Sequence, residues 1–201
     1  MRKLVLVLAL ASLCWTSGAG AVPIQWPAVS GGNGHFYEAL DLSIDWPSAR
    51  DLALTRSHLG VQGHLVTITS EAERSFLIAS NIPDSLSSGR AWIGAYQDTS
   101  AAGYAEPSGG WRWVTGEAWD FEAWGSWGSL PHQSEPNNIP CCGFSGDTNH
   151  VELLSGGNWN DNSSGFLMGA IVEYDTNPIP EPSTALLLGL GLAGMAARRR
   201  V

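Results

Sequence analysis

The stretch Gly63-His64-Leu65-Val66-Thr67-Ile68-Thr69-Ser70-Glu71-Ala72-Glu73 runs from a strand directly into a helix. Leu65 to Thr69 is short and rich in β-branched residues, which suits a strand. Ser70 followed three residues later by Glu73 is a capping box, so a helix opens here, with Phe76 and Leu77 inward and its end near Asn81. Upstream, Gly34 to Leu40 reads as a strand supported by Phe36 and Tyr37. Asp45-Trp46-Pro47 starts an earlier helix, with Asp as cap and Pro in the first turn. Ala49, Leu52, Ala53 and Arg56 share one face of that helix, and Gly60 is its natural stop. Downstream, Trp92-Ile93-Gly94-Ala95, Trp111-Arg112-Trp113-Val114, His150 to Leu154 and Phe166 to Tyr174 read as strands joined by long loops rich in Gly and Pro. Two helices followed by several strands predict an α+β domain over 22–175.

Of 201 residues, 44% are apolar and only 14% charged, so a packed core is available. Between residues 22 and 180 there are five Arg, no Lys and 18 Asp or Glu, a net charge of −13. Such a domain repels phosphate backbones, which excludes nucleic acid as a partner. Clustered carboxylates suit a hard cation such as calcium, and equally suit solubility alone.

Both ends read as signals. Met1-Arg2-Lys3, the apolar run Leu4 to Trp15 and the small residues Ala19-Gly20-Ala21 form a secretory signal peptide over 1–21. That run is too short to span a membrane, and Leu13 beside Cys14 disfavours a lipoprotein. At the other end stand Pro180-Glu181-Pro182, an apolar stretch from Ala185 to Ala197 and Arg198-Arg199-Arg200. This segment, 176–201, closely resembles the PEP-CTERM sorting signal. The resemblance implies transient membrane association through the tail, recognition and cleavage by an exosortase, and a Gram-negative host that makes exopolysaccharide. Signal peptidase would process the other end.

The central region resembles the C-type lectin-like domains. The resemblance is carried by Trp46 to Ala49, Gly63 to Ile68, Ser70, Ala72-Glu73, Trp92-Ile93-Gly94, Trp111-Arg112-Trp113-Val114-Thr115-Gly116, Phe121 and Trp124. Glu135-Pro136-Asn137-Asn138, Trp159-Asn160-Asp161 and Ile171-Val172-Glu173-Tyr174 complete it, so it covers roughly residues 33 to 175. It implies two helices packed on short, mostly antiparallel strands with long loops. It also implies a calcium ion that a sugar binds through two neighbouring hydroxyls. In that family Glu-Pro-Asn accompanies mannose-, glucose- or N-acetylglucosamine-type sugars.

Calcium takes about six to eight oxygen ligands. Glu135 and Asn137 can point the same way from an extended loop, and a cis bond at Pro136 would fix that geometry. Asn160 and Asp161 supply two more ligands. These four are the expected metal and carbohydrate ligands; as a turn, Pro136-Asn137-Asn138 would need no ligand. The family usually offers a further acid just before the strand at His150. Thr148 and Asn149 stand there instead, so Asp147, one residue early, is the candidate fifth metal ligand, with Asn149 its rival and Glu152 less suited. The family's usual disulfides are missing: Ala53 lies near the slot of the first-helix cysteine, His150 and Val172 fill two others, and only the adjacent Cys141 and Cys142 remain after the leader.

The sequence contains no HExxH, Gly-x-Ser-x-Gly or phosphate-loop motif, and His35, His64, His132 and His150 are scattered along the chain, so no enzyme is expected. Two functions fit: a calcium-dependent lectin that holds glycan or exopolysaccharide, or an extracellular matrix or adhesion protein that uses the same fold without sugar.

Overall fold

The computed structural model describes residues 21–126, 134–140 and 146–176. The leader up to residue 20, the tail from residue 177 with Pro180, Glu181 and Pro182, and Cys141, Cys142 and His132 lie outside them.

The chain runs β1 (Ile24–Gln25), β2 (Phe36–Ile44), α1 (Trp46–Thr55), β3 (Ser57–His58), β4 (Val61–Leu65), α2 (Glu71–Ala79), β5 (Arg90–Gln97), β6 (Trp111–Trp113), β7 (His150–Leu154), β8 (Trp159–Asn162) and β9 (Met168–Tyr174). The main sheet path is β1-β2-β9-β5-β7-β8, with β4 also on β9 and β6 on β5. All pairings are antiparallel except β5 with β9, which run parallel at Ala91↔Gly169 and Trp92↔Ala170. The expected α+β class is therefore observed.

The local signals explain the helices. Asp45 Oδ1 accepts from the Ser48 amide at 2.8 Å and caps α1, which buries Trp46, Ala49 and Ala53. The helix ends at Thr55, before the expected stop; Gly60 instead turns β3 into β4 at a φ of 84°. Ser70 Oγ caps α2 by accepting from the Glu73 amide at 3.2 Å. The reciprocal half of the capping box is redirected: Glu73 Oε2 accepts from the Thr69 amide at 2.9 Å, and Oε1 from the Tyr37 hydroxyl at 2.7 Å. The strand before α2 lies earlier than expected, at Val61–Leu65. Val66 already leaves the ladder, donating to Ile171 O and accepting from Gly94 N. That crossing is tight: a Cβ on Gly94 would stand 2.7 Å from Leu65 O, so only glycine fits.

The core has two parts. One packs α1 against Leu65, Trp92, Met168, Ala170, Val172 and Tyr174. The other gathers Ile68, Leu77, Ile93, Trp113, Val151, Trp159 and Ile171 under the long loop, with Trp119, Phe121 and Trp124 packed against it. Trp159 touches Trp113 and Trp124 edge-on, with ring centres 5.6 and 5.8 Å apart. This aromatic block anchors the loop that carries the candidate site. Trp159 N donates to Ala123 O, Gly125 N to Trp159 O, and Glu135 N to Gly125 O.

Candidate functional site

The β7–β8 hairpin pairs Val151 with Asp161 and Glu152 with Asn160, which puts those two pairs on opposite faces. On the loop face, Asp161 receives the expected motif. Its Oδ1 accepts from the Asn137 amide at 2.9 Å and its Oδ2 from the Asn138 amide at 2.8 Å. The Thr148 hydroxyl also donates to Asp161 Oδ2. Asn138 Oδ1 accepts from the Thr148 amide at 3.1 Å, which ties the two loop segments together. The Glu135–Pro136 peptide is cis, as the sequence suggested.

Glu135 is the unsettled member of the group. Its Oε2 is buried without a hydrogen-bond partner. Burial first, then the neighbouring Asp161 and Glu152 carboxylates, push its carboxyl up to about 8. Glu135 therefore keeps its proton to a higher pH than a free carboxyl does, and a cation at this point would relieve the same burial and charge repulsion.

The hairpin's other face is compensated. Glu152 is fully buried and pairs with Arg90 at 3.1 Å, and Asn160 and Asn162 donate to its Oε1 at 2.7 and 3.3 Å. The structure thus brings Glu135, Asn137 and Asp161 together, while Asn160 lies on the other face of the hairpin, bonded to Glu152. Asp147 is exposed, and its charge bears on the Tyr104 hydroxyl. The buried residue at this point of the loop is Thr148, its neighbour. Asn138 and Thr148, which organise the site, were not singled out as ligands, because a neutral side chain bonding to a distant carboxylate leaves no spacing signal.

These residues fit calcium: all offered atoms are oxygens, and Glu135, with its Oε2 buried and without a partner, lies near enough to Asp161 for that carboxylate to act on it. They fit it with two uncompensated carboxylates, since Glu152 is neutralised by Arg90.

Several solved structures share this architecture. The EPNH mutant of CEL-I, a C-type lectin from Cucumaria echinata, superposes with a TM-score of 0.54 and 24% identity over 73% of this chain and 92% of its own. The cow C-type carbohydrate-recognition domain of CD23, crystallised in the presence of a GlcNAc2Man3 oligosaccharide, gives 0.50 and 24% over 71% and 89%. The fold is that of the C-type lectin domains. Halomucin of Haloquadratum walsbyi is 30% identical over 179 residues, which is 79% of this chain and 2% of halomucin. The chain spans less than half the length of the curated relatives it matches. Residues 178–200 match the PEP-CTERM protein-sorting motif. The protein thus combines a C-type lectin fold with a signal for export to the cell envelope or surface.

Proposed function

We propose that this is an exported, calcium-dependent carbohydrate-binding protein that holds glycan or exopolysaccharide outside the cell. Glu135, Asn137, Asn160 and Asp161 are the proposed metal and sugar ligands, with Asp147 as a fifth metal ligand once Gly146, at a φ of 113°, lets the chain turn inward. The observation that carries the reading is the buried, unpartnered Glu135 oxygen beside Asp161. Calcium, when bound, supplies the positive charge that holds these carboxylates ionised and draws in sugar hydroxyls. The carboxylates then accept from two vicinal hydroxyls while the Asn amides donate to them. The Glu-Pro-Asn motif favours mannose-, glucose- or N-acetylglucosamine-type sugars. Signal peptidase removes residues 1–21 and an exosortase the tail from 176, in a Gram-negative envelope.

A glycan array probed in calcium and again in chelator tests this. Binding to such sugars that disappears in chelator is expected; binding indifferent to calcium refutes it. One observation favours the second reading, a sugar-independent matrix or adhesion protein. Asp161 has both oxygens engaged by backbone amides, so the loops hold their form without a cation. An array blank in both conditions supports that alternative.

A further inference from the structure

At the opposite end of the sheet, three strands bring two histidines and two carboxylates together. His35 stands just before β2, His64 lies in β4, Glu173 near the end of β9 and Asp175 just beyond it. His35 Nδ1 lies 2.7 Å from Glu173 Oε1 and 3.5 Å from Asp175 Oδ1, and His64 Nε2 lies 3.2 Å from that same Asp175 oxygen. The ligand atoms of His35, Glu173 and Asp175 all fall within 4.8 Å of one another; His64 lies outside that group and meets it through Asp175. Among the described residues, the ion pairs of Glu173 and Asp175 are with these histidines alone.

We propose that His35, His64, Glu173 and Asp175 form a binding site for a zinc ion. Metal–ligand bonds of about 2.0–2.1 Å in a tetrahedral site place ligand atoms about 3.3 Å apart, close to the separations of both histidines from Asp175, and the His64 ring swings toward the other ligands to complete the set. The third contact, a hydrogen bond, opens slightly as the metal replaces its proton.

Neighbouring groups already orient the ligands. His64 Nδ1 lies 2.9 Å from Leu65 O, and a carbonyl only accepts, so Nδ1 carries the hydrogen. The Nε2 lone pair is then aimed at an Asp175 carboxylate oxygen. Two acceptors at this distance require a cation between them, either a second imidazole proton or a metal. Glu173 Oε2 is held by the Thr67 amide at 2.9 Å and hydroxyl at 3.1 Å, which leaves Oε1 for the ion. Two imidazole nitrogens select a borderline transition metal over calcium, so this site differs in kind from the oxygen set around Glu135. Bound zinc would fasten β2, β4 and the end of β9 together, just before the sorting motif begins.

The test is zinc titration of the chelator-stripped full chain, with calcium held at millimolar concentration. Calorimetry is expected to give one zinc per chain, and cobalt substitution a tetrahedral d–d spectrum. His35→Gln, His64→Gln and Asp175→Asn each weaken zinc by about tenfold or more. His132→Gln, a control for incidental imidazole binding, leaves the affinity unchanged. Asp175 is 56% exposed on its side chain, so Asp175→Asn should fold even where a histidine variant does not. Absence of saturable zinc binding, or parent-like affinity in Asp175→Asn and both histidine variants, overturns the proposal.

Discussion

Glu135→Gln should make the metal-free domain more stable and at the same time insensitive to calcium. In the folded protein the Glu135 carboxyl is raised from 4.5 to about 8. Below pH 4.5 the group is protonated in both states and contributes nothing to the difference. Between 4.5 and about 8 the folded domain keeps a proton that the unfolded chain has released, so this group makes stability fall as pH rises. At about 1.36 kcal/mol per pH unit the full shift would cost nearly 5 kcal/mol; solvent screening of a half-buried carboxyl reduces this to about 2. Glutamine removes the charge and can donate to Asp161, so the variant should gain about 2 kcal/mol at pH 8 in chelator, about 4–8 °C in melting temperature. At pH 5 the two proteins should melt together. His35 and His64, whose pKa values are also raised, affect parent and variant alike and cancel in the difference. Saturating calcium reverses the order, because a hundredfold excess over Kd gives the parent about 2.7 kcal/mol and the variant little. Thermal melts across pH, with chelator and with calcium, measure all of this. Equal pH slopes for the two proteins in chelator, or an equal calcium shift, would refute the reasoning.

Asp147→Asn should weaken calcium binding in a titration while Asn149→Ala leaves it intact; parent-like affinity in Asp147→Asn, with loss in Asn149→Ala, assigns the ligand to Asn149. Arg56→Ala should destabilise the domain by about 3 kcal/mol in denaturant melts, because it strips the charge partner from a buried carboxylate. That carboxylate, Glu38, is 3% exposed and, among the described residues, keeps only the Tyr174 hydroxyl. A loss under about 1 kcal/mol would mean that Tyr174 suffices.

The helices and the site loop were legible in the sequence because their signals are local. Asp45 and Ser70 each accept from an amide three residues on, and the cis Glu135–Pro136 bond lies within the motif itself. What stayed hidden depends on partners far apart in the chain. Val66 to Thr69 has strand composition, yet its backbone serves Gly94 and Ile171 instead of a ladder. Asn138 and Thr148 meet Asp161 only because the β7–β8 hairpin presents that residue to the loop. His35, His64 and Glu173 are separated by up to 138 positions and converge because β2 and β4 both pair with β9.

That convergence bears on the missing disulfides. Ala53, near one cysteine slot that the family resemblance implies, and Val172, at another, are fully buried in the same core cluster. A cysteine pair closing a loop of about 100 residues would contribute up to about 4.7 kcal/mol by restricting the unfolded chain. Here α1 is fastened to the sheet by other means. Trp46 Nε1 donates to Ile93 O at 2.9 Å, and just past the helix Arg56 reaches Glu38, which Tyr174 also bonds. These links act on the folded state alone and leave the unfolded chain unrestricted. Ligands that bind only the folded state therefore carry more weight here than in a disulfide-bonded relative. Calcium at Glu135 and Asp161 would secure the long loop, and zinc at His35, His64, Glu173 and Asp175 would secure the far end of β9. The two ions act at opposite ends of the sheet and share no ligand, so their stabilising effects should add.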